Sequence, residues 1–178
     1  MKPAVFLDRD GVLNRAVVRD GKPYPPAGLE AFELLPGVED AAAALRAAGY
    51  LLVVVTNQPD VATGKQRREV VEAMHERLRA AGLCDDIRAC YHTDADDCDC
   101  RKPKPGMFED IAHRFNLDLA GVPSVGDSLR DLQAAAAVGA QPILVLTGKG
   151  KQTKAAGGLP AQTQIYADLA AAVKSIVS

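Results

Sequence analysis

Asp8 and Asp10 stand two residues apart, directly after the apolar run Ala4-Val5-Phe6-Leu7. In an extended backbone, residues i and i+2 project to the same side, so the two carboxylates face one space and Arg9 points the other way. Close like charges raise at least one pKa or demand a cation between them. A hard divalent ion with oxygen ligands, most simply Mg²⁺, meets that demand. Taken alone, Asp8-Arg9-Asp10-Gly11 is equally a turn leading into glycine, and other stretches of the chain decide between the readings. The run "LLVVVTNQ" ends on Thr56 and Asn57, a hydroxyl and an amide, followed by Gln58. "CRKPKPG" supplies Arg101, Lys102 and Lys104, and "PSVGDSLRD" ends its apolar stretch at Gly126-Asp127, with Asp131 one helical turn further on. Asp131 is either a carboxylate behind the site or a favourable charge in the first turn of a helix.

A second group of reactive side chains lies in "CYHTDADDCDC", where Cys90-x-His92 is followed after five residues by Cys98-x-Cys100. Three thiolates and an imidazole make a full tetrahedral zinc set with no open position, so the zinc is expected to be structural. Because Arg101 and Lys102 follow at once, closing this loop on a metal would fix where they point. Cys84 is surplus, read as a buried thiol at a helix end or a competitor for the metal. His75 and His113 fall in helical stretches and are expected to be packing or surface residues.

The elements that must hold these groups alternate. Short apolar or β-branched runs at Ala4–Leu7, Leu51–Thr56, Ala89–Tyr91, Ser124–Val125 and Ile143–Leu146, with a further one at Gln164–Tyr166, read as buried strands. Alanine-rich amphipathic stretches at Gly37–Ala48, Gln66–Ala81, Gly106–Phe115, Leu129–Val138 and Ala167–Ile176 read as helices. This βα alternation predicts a three-layer, Rossmann-like α/β fold: a mostly parallel sheet with helices on both faces. Chemistry is then expected at the carboxyl ends of the strands. Residues 14–36, rich in proline, and the cysteine loop 90–105 break the alternation and are expected to form the rim of the site.

The 178 residues are expected to fold as one domain, 1–178, with no linker to divide it. A net charge of -2 and the lack of tryptophan give no footprint for nucleic acid. Asp8 interrupts the N-terminal apolar run too early for a signal peptide, and no run approaches the ~20 residues that cross a bilayer. A soluble, cytoplasmic protein is expected, and the clustered cysteines agree with a reducing compartment. Without a G-x-x-x-x-G-K-[ST] loop, ATP is not an expected cofactor.

Taken in order, these four motifs resemble those of the haloacid dehalogenase superfamily of phosphohydrolases. "DRDGV" matches the first motif, "TN" the second, Lys102 in "RKPKPGM" the third and "VGDSLRD" the fourth. The resemblance implies Asp8 as nucleophile and Asp10 as general acid and base, with Thr56 and Lys102 stabilising the transferring phosphoryl oxygens. It also implies Mg²⁺ on Asp8, Asp127 and the main-chain carbonyl of Asp10. With the cysteine loop, the chain is similar to the subgroup without a large cap that acts on heptose bisphosphates and histidinol phosphate. By that resemblance the substrate is a small phosphorylated sugar or metabolite, foremost a heptose 1,7-bisphosphate of lipopolysaccharide synthesis dephosphorylated at position 7. Histidinol phosphate and DNA 3′-phosphate ends are the alternatives, and a monomer is expected. Asn57, Gln58 and Arg101 would contact the substrate. Two cations of the heptose enzymes are replaced here, by Ser128 and Thr63; Lys104, Lys65 and Arg15 are the candidates to compensate.

Overall fold

The computed structural model describes residues 2–20 and 22–178. Strand β1 (Ala4–Leu7) leads through a rim segment containing the antiparallel hairpin β2 (Val17–Arg19) and β3 (Lys22–Tyr24) to helix α1 (Val38–Ala47). Then follow β4 (Leu51–Asn57), α2 (Arg68–Ala80), β5 (Asp86–Cys90), α3 (Gly106–Phe115), β6 (Pro123–Gly126), α4 (Leu129–Ala137), β7 (Gln141–Val145), α5 (Gly150–Ala156), β8 (Gln164–Tyr166) and α6 (Leu169–Ile176). The main sheet has the order β5-β4-β1-β6-β7-β8, and its neighbouring strands all pair in parallel. The expected layered α/β architecture is therefore observed.

Strands β1 and β4 are buried on both faces, so their side chains alternate between two cores rather than between core and water. Val5, Leu7, Leu52 and Val54 pack on one face with α1, α2 and α6, through residues such as Leu45, Met74, Leu78 and Val173. Ala4, Phe6, Val53 and Val55 pack on the other with α3 and α4, through Phe108, Ile111, Ala134 and Ala135. The small alanines of α4 let that helix lie close to the sheet. Phe6 and Phe108 meet at 4.7 Å between ring centroids, tilted by 50°, a favourable aromatic geometry.

Strand order places the chemistry. After β1 the chain runs outward to β4 and β5, then returns across to β6 on the other side of β1. Such a reversal opens a crevice above the carboxyl end of the central strand. Three details differ from the sequence reading. The third strand of the sheet begins at Asp86 rather than Ala89, because the polar, exposed Arg88 occupies a position where the pairing with β4 outweighs side-chain hydropathy. The rim segment contains the hairpin β2–β3, and α5 fills the step from β7 to β8; both are too short and polar to show a hydrophobic period.

Candidate active site

Asp8, Thr56, Asp127 and Lys102 meet in a cleft of about 360 Å³ above β1, β4 and β6, which Asp10, Asn57, Gln58 and Arg101 also line. Pro23, Tyr24 and Pro25 of the β2–β3 segment form part of its wall. This size suits a small ligand. Asp8 follows β1 and its backbone N–H donates to the carbonyl of Val125 in β6 at 2.9 Å. The two acid-bearing strand ends are thereby tied together.

Lys102 is 2% exposed, and its Nζ donates to Asp8 Oδ1 at 3.0 Å and to the Val55 carbonyl at 2.8 Å; it also pairs with Asp131 Oδ1 at 2.6 Å. Burial acts to discharge the amine, but the charges of Asp131 and Asp8 hold its pKa above the ordinary lysine value. Asn57 sets the lysine's main chain: its Nδ2 donates to the Lys102 carbonyl and its Oδ1 accepts from the Lys102 N–H, both at 3.1 Å. Both functions open for Asp131 in the sequence are realised. Its Oδ2 accepts from Asp127 N, Ser128 N and Ser128 Oγ at 2.9–3.1 Å, capping α4, while its Oδ1 holds Lys102.

Asp127 is 3% exposed, and its Oδ2 accepts from Lys149 N at 2.8 Å. Gly11 (φ 86°) and Gly148 (φ 52°) pass on either side of this carboxylate. A Cβ on either glycine would overlap Asp127 Oδ2, so the backbone itself forms the walls of the acid's slot. Burial, then Asp131, pushes the Asp8 carboxyl up to about 7, against the pull of Lys102. Burial and the charges of Asp8 and Asp131 likewise raise Asp127 well above the usual carboxylate range.

Asp8, Asp127 and Asp131 each bring an oxygen within 4.8 Å of the others. The oxygens of Asp131 are already engaged, so Asp8 and Asp127 are the better donors. A buried acid and a largely buried one, both driven toward protonation, fit a hard divalent cation that would let them ionise together.

Asp10 is held differently. Burial opposes its ionisation, but Arg9 and hydrogen bonds from Asn14, Gln58 and Arg9 outweigh it and bring the pKa below the ordinary value. Arg9 does not point away, as the two-residue period predicts. The strand stops at Leu7, and the fully buried guanidinium turns back onto Asp10, with Nη2 at 3.0 Å from both carboxylate oxygens. Gln58 Nε2 reaches Asp10 Oδ2 at 2.8 Å and Thr56 Oγ1 at 3.0 Å. Since Thr56 accepts from Gln58, its hydroxyl proton is available to another acceptor.

In the cysteine loop, Cys90 Sγ lies 3.5 Å from His92 Nδ1, 3.7 Å from Cys98 Sγ and 3.0 Å from Cys100 Sγ. Cys100 Sγ is 3.3 Å from His92 Nδ1 and 3.5 Å from Cys98 Sγ. Tetrahedral bonds of about 2.3 Å to sulfur and 2.0–2.1 Å to nitrogen imply donor separations of roughly 3.4–3.8 Å. Three of these separations, 3.5–3.7 Å, match that spacing, and the two shorter ones at Cys100, 3.0 and 3.3 Å, need open only slightly for all four donors to share one ion. Arg101 leaves this loop with Nε on Asp94 Oδ1 at 2.9 Å and Nη1 on the His92 carbonyl at 3.4 Å. Cys84 lies apart, buried, its thiol pushed up to about 11 mainly by burial.

Sequence reasoning passed over Arg130. It lines the cleft beside Arg101, and Asp94 joins the two, with Arg130 Nη1 at 2.8 Å from Oδ1 and Nη2 at 3.1 Å from Oδ2. Its place two residues beyond Ser128, in the first turn of α4, was the available signal. The three candidates to replace the missing cations do not line this cleft: Lys104 pairs with Asp97, Arg15 pairs with Glu33, and Lys65 lies on the α2 side of the β4–α2 loop.

Acids from two strand ends and a buried lysine thus meet at a switch-point cleft, the place where open α/β sheets bind their ligands. Comparison with known proteins agrees. A family model described as polynucleotide kinase 3 phosphatase matches residues 13–132, and one described as HAD-hydrolase-like matches residues 99–172. The D-glycero-beta-D-manno-heptose-1,7-bisphosphate 7-phosphatases of Bordetella bronchiseptica and Pseudomonas putida are 44% and 46% identical to it. Each covers 97% of this chain and 97% and 98% of the relative, respectively. The crystal structure of D,D-heptose 1,7-bisphosphate phosphatase from B. bronchiseptica, complexed with magnesium and phosphate, matches with a TM-score of 0.90 over 98% of both chains. The D,D-heptose 1,7-bisphosphate phosphatase of Burkholderia thailandensis matches at 40% identity with a TM-score of 0.75 over 99% of both. The chain belongs to the haloacid dehalogenase-like phosphatases, in the group formed with these heptose bisphosphate enzymes.

Proposed function

We propose that this chain is a Mg²⁺-dependent phosphatase that removes the 7-phosphate of D-glycero-D-manno-heptose 1,7-bisphosphate through a phosphoryl group carried on Asp8. The observation that carries this reading is the convergence of Asp8, Asp127 and Lys102, from three separate stretches of chain, on the floor of one cleft. The names of the full-length relatives support the substrate.

Arg9 keeps Asp10 ionised in the resting site, so Asp10 takes the acid proton of the phosphate monoanion as it binds; when Asp8 attacks phosphorus and the P–O bond to the sugar breaks, Asp10 delivers that proton to the departing alkoxide. Asp10 then takes a proton from the water that cleaves the acyl phosphate. Lys102, whose three N–H groups go to Asp8, Val55 and Asp131, acts through its charge, and together with the free hydroxyl proton of Thr56 it stabilises the charge that grows on the equatorial oxygens. Asp8, Asp127 and the Asp10 main-chain carbonyl would hold Mg²⁺, which neutralises the acids so that an anionic substrate can approach. Asn57 and Gln58, expected to contact substrate, act here by holding Lys102 and Asp10; Arg101 remains a substrate contact and Arg130 joins it. Two guanidiniums bridged by Asp94 suit a second phosphate.

Cys90, His92, Cys98 and Cys100 would hold a structural Zn²⁺, and the loop it would close positions Arg101 through the His92 carbonyl. Among the described residues no helix is long and apolar enough to cross a membrane, and four cysteines outside any disulfide suit a reducing cytoplasm. The match to the polynucleotide kinase 3 phosphatase model keeps DNA 3′-phosphates as a second reading.

The test is phosphate release from heptose 1,7-bisphosphate, histidinol phosphate and a 3′-phosphorylated oligonucleotide, with wild type and Arg130→Ala. The bisphosphate should give the highest kcat/KM, and Arg130→Ala should raise its KM while sparing monophosphates. A higher kcat/KM on either alternative refutes the heptose assignment.

A further inference from the structure

Helix α2 turns an apolar face to the sheet, yet that face carries His75 between Val71, Met74 and Leu78. His75 is 4% exposed. Its Nε2 lies 3.3 Å from Arg9 Nη1. An arginine only donates, so the imidazole must accept through Nε2 and carry its proton on Nδ1. Burial first, then the charges of Arg9 and Arg79, lowers the ring to about 3, which keeps it neutral and able to accept.

Arg9 is fully buried and uses its fork in three directions. Nε and Nη2 go to Asp10 at 3.0–3.3 Å, Nη2 also goes to Gln58 Oε1 at 3.3 Å, and Nη1 goes to His75. The guanidinium is planar and rigid, so the orientation of Nη1 fixes that of Nη2 and Nε. An apolar residue at 75 would leave a buried N–H without its acceptor, and the guanidinium would turn to find another. Asp10, which it grips through both oxygens, would turn with it.

We propose that His75 is a positioning residue that sets the direction of the Asp10 carboxylate through Arg9. This rests on the assignment of Asp10 as proton donor to the leaving group. Misplacing a reacting group by about 1 Å costs on the order of 10²-fold. The loss should depend on the leaving group: an alkoxide needs the proton from Asp10, whereas p-nitrophenolate departs almost without it.

The experiment compares kcat/KM, which reports transfer to Asp8, for a sugar phosphate and p-nitrophenyl phosphate in His75→Leu, His75→Gln, His75→Asn and Asp10→Asn. His75→Leu should lose roughly 10- to 100-fold on the sugar phosphate and less than about threefold on the aryl phosphate. Glutamine reaches as far as Nε2 and should restore the sugar phosphate rate, whereas asparagine is too short and should not. The glutamine–asparagine pair keeps the test decisive if the leucine variant does not fold. Equal losses on both substrates, or asparagine behaving like glutamine, overturns the role of His75. If Asp10→Asn itself shows no dependence on the leaving group, the assignment of Asp10 fails instead.

Discussion

Replacing Lys102 by alanine removes a charge that touches both Asp8 and Asp131, and the consequences for stability and for catalysis can be worked separately. In the folded protein the ammonium engages Asp8 Oδ1, Asp131 Oδ1 and the Val55 carbonyl. Removing one partner of a buried ion pair costs about 3–5 kcal/mol, because the other charge stays behind unpaired. Asp127, adjacent and buried, makes that residue of negative charge worse. At about 2–4 °C per kcal/mol for a domain of this size, the melting temperature should fall by roughly 6–20 °C. Added Mg²⁺ should recover part of this. In the transition state, loss of one preorganised electrostatic partner costs about 2.7–4 kcal/mol, or 10²–10³ in kcat. Lys104→Ala is the control: that side chain is half exposed and pairs with exposed Asp97, an interaction that solvent largely screens. The assays are steady-state phosphate release and thermal melts of both variants. A kcat/KM for Lys102→Ala within tenfold of wild type, or a larger loss in Lys104→Ala, refutes the reasoning.

Asp8→Asn should abolish turnover while leaving the circular dichroism spectrum and cooperative melting intact; wild-type phosphate release would remove Asp8 as nucleophile. About one equivalent of zinc is expected by elemental analysis, and Cys98→Ser or strong chelation should lower the melting temperature, whereas an unchanged melt rejects a structural site. The metal-free protein should become less stable as pH rises from about 4 to about 7. Asp8, raised from 3.8 to about 7, keeps in the folded state a proton that the unfolded chain has released. Urea titrations in EDTA at pH 5 and pH 8 should show this loss in wild type and a smaller one in Asp8→Asn, with Mg²⁺ restoring stability chiefly at pH 8. Equal loss in the two proteins would show that Asp8 ionises normally.

The strands of the main sheet, the helices longer than seven residues and both reactive clusters could be read in the chain, because each depends on local pattern. Buried runs such as Val53-Val54-Val55 have no amphipathic alternative. Donor spacing in Cys90-x-His92 and Cys98-x-Cys100 restricts geometry within a single loop. What the amino-acid order could not state was how side chains from distant segments orient toward one another. Arg9 should by its period have faced away from Asp10, but the strand ends at Leu7, and beyond it the backbone turn and the cost of burying an unpaired guanidinium decide its direction. His75 reads as one more residue on a packed helix until α2 is laid against the sheet and the ring meets Arg9. Asp131 and Arg130 lie in one helical turn and look alike as first-turn charges, yet the docking of that turn buries the first on Lys102 and leaves the second at the cleft mouth. Local pattern determines which groups exist and which elements carry them; pairing among buried charges is a property of the assembled interior, where desolvation makes each missing partner expensive.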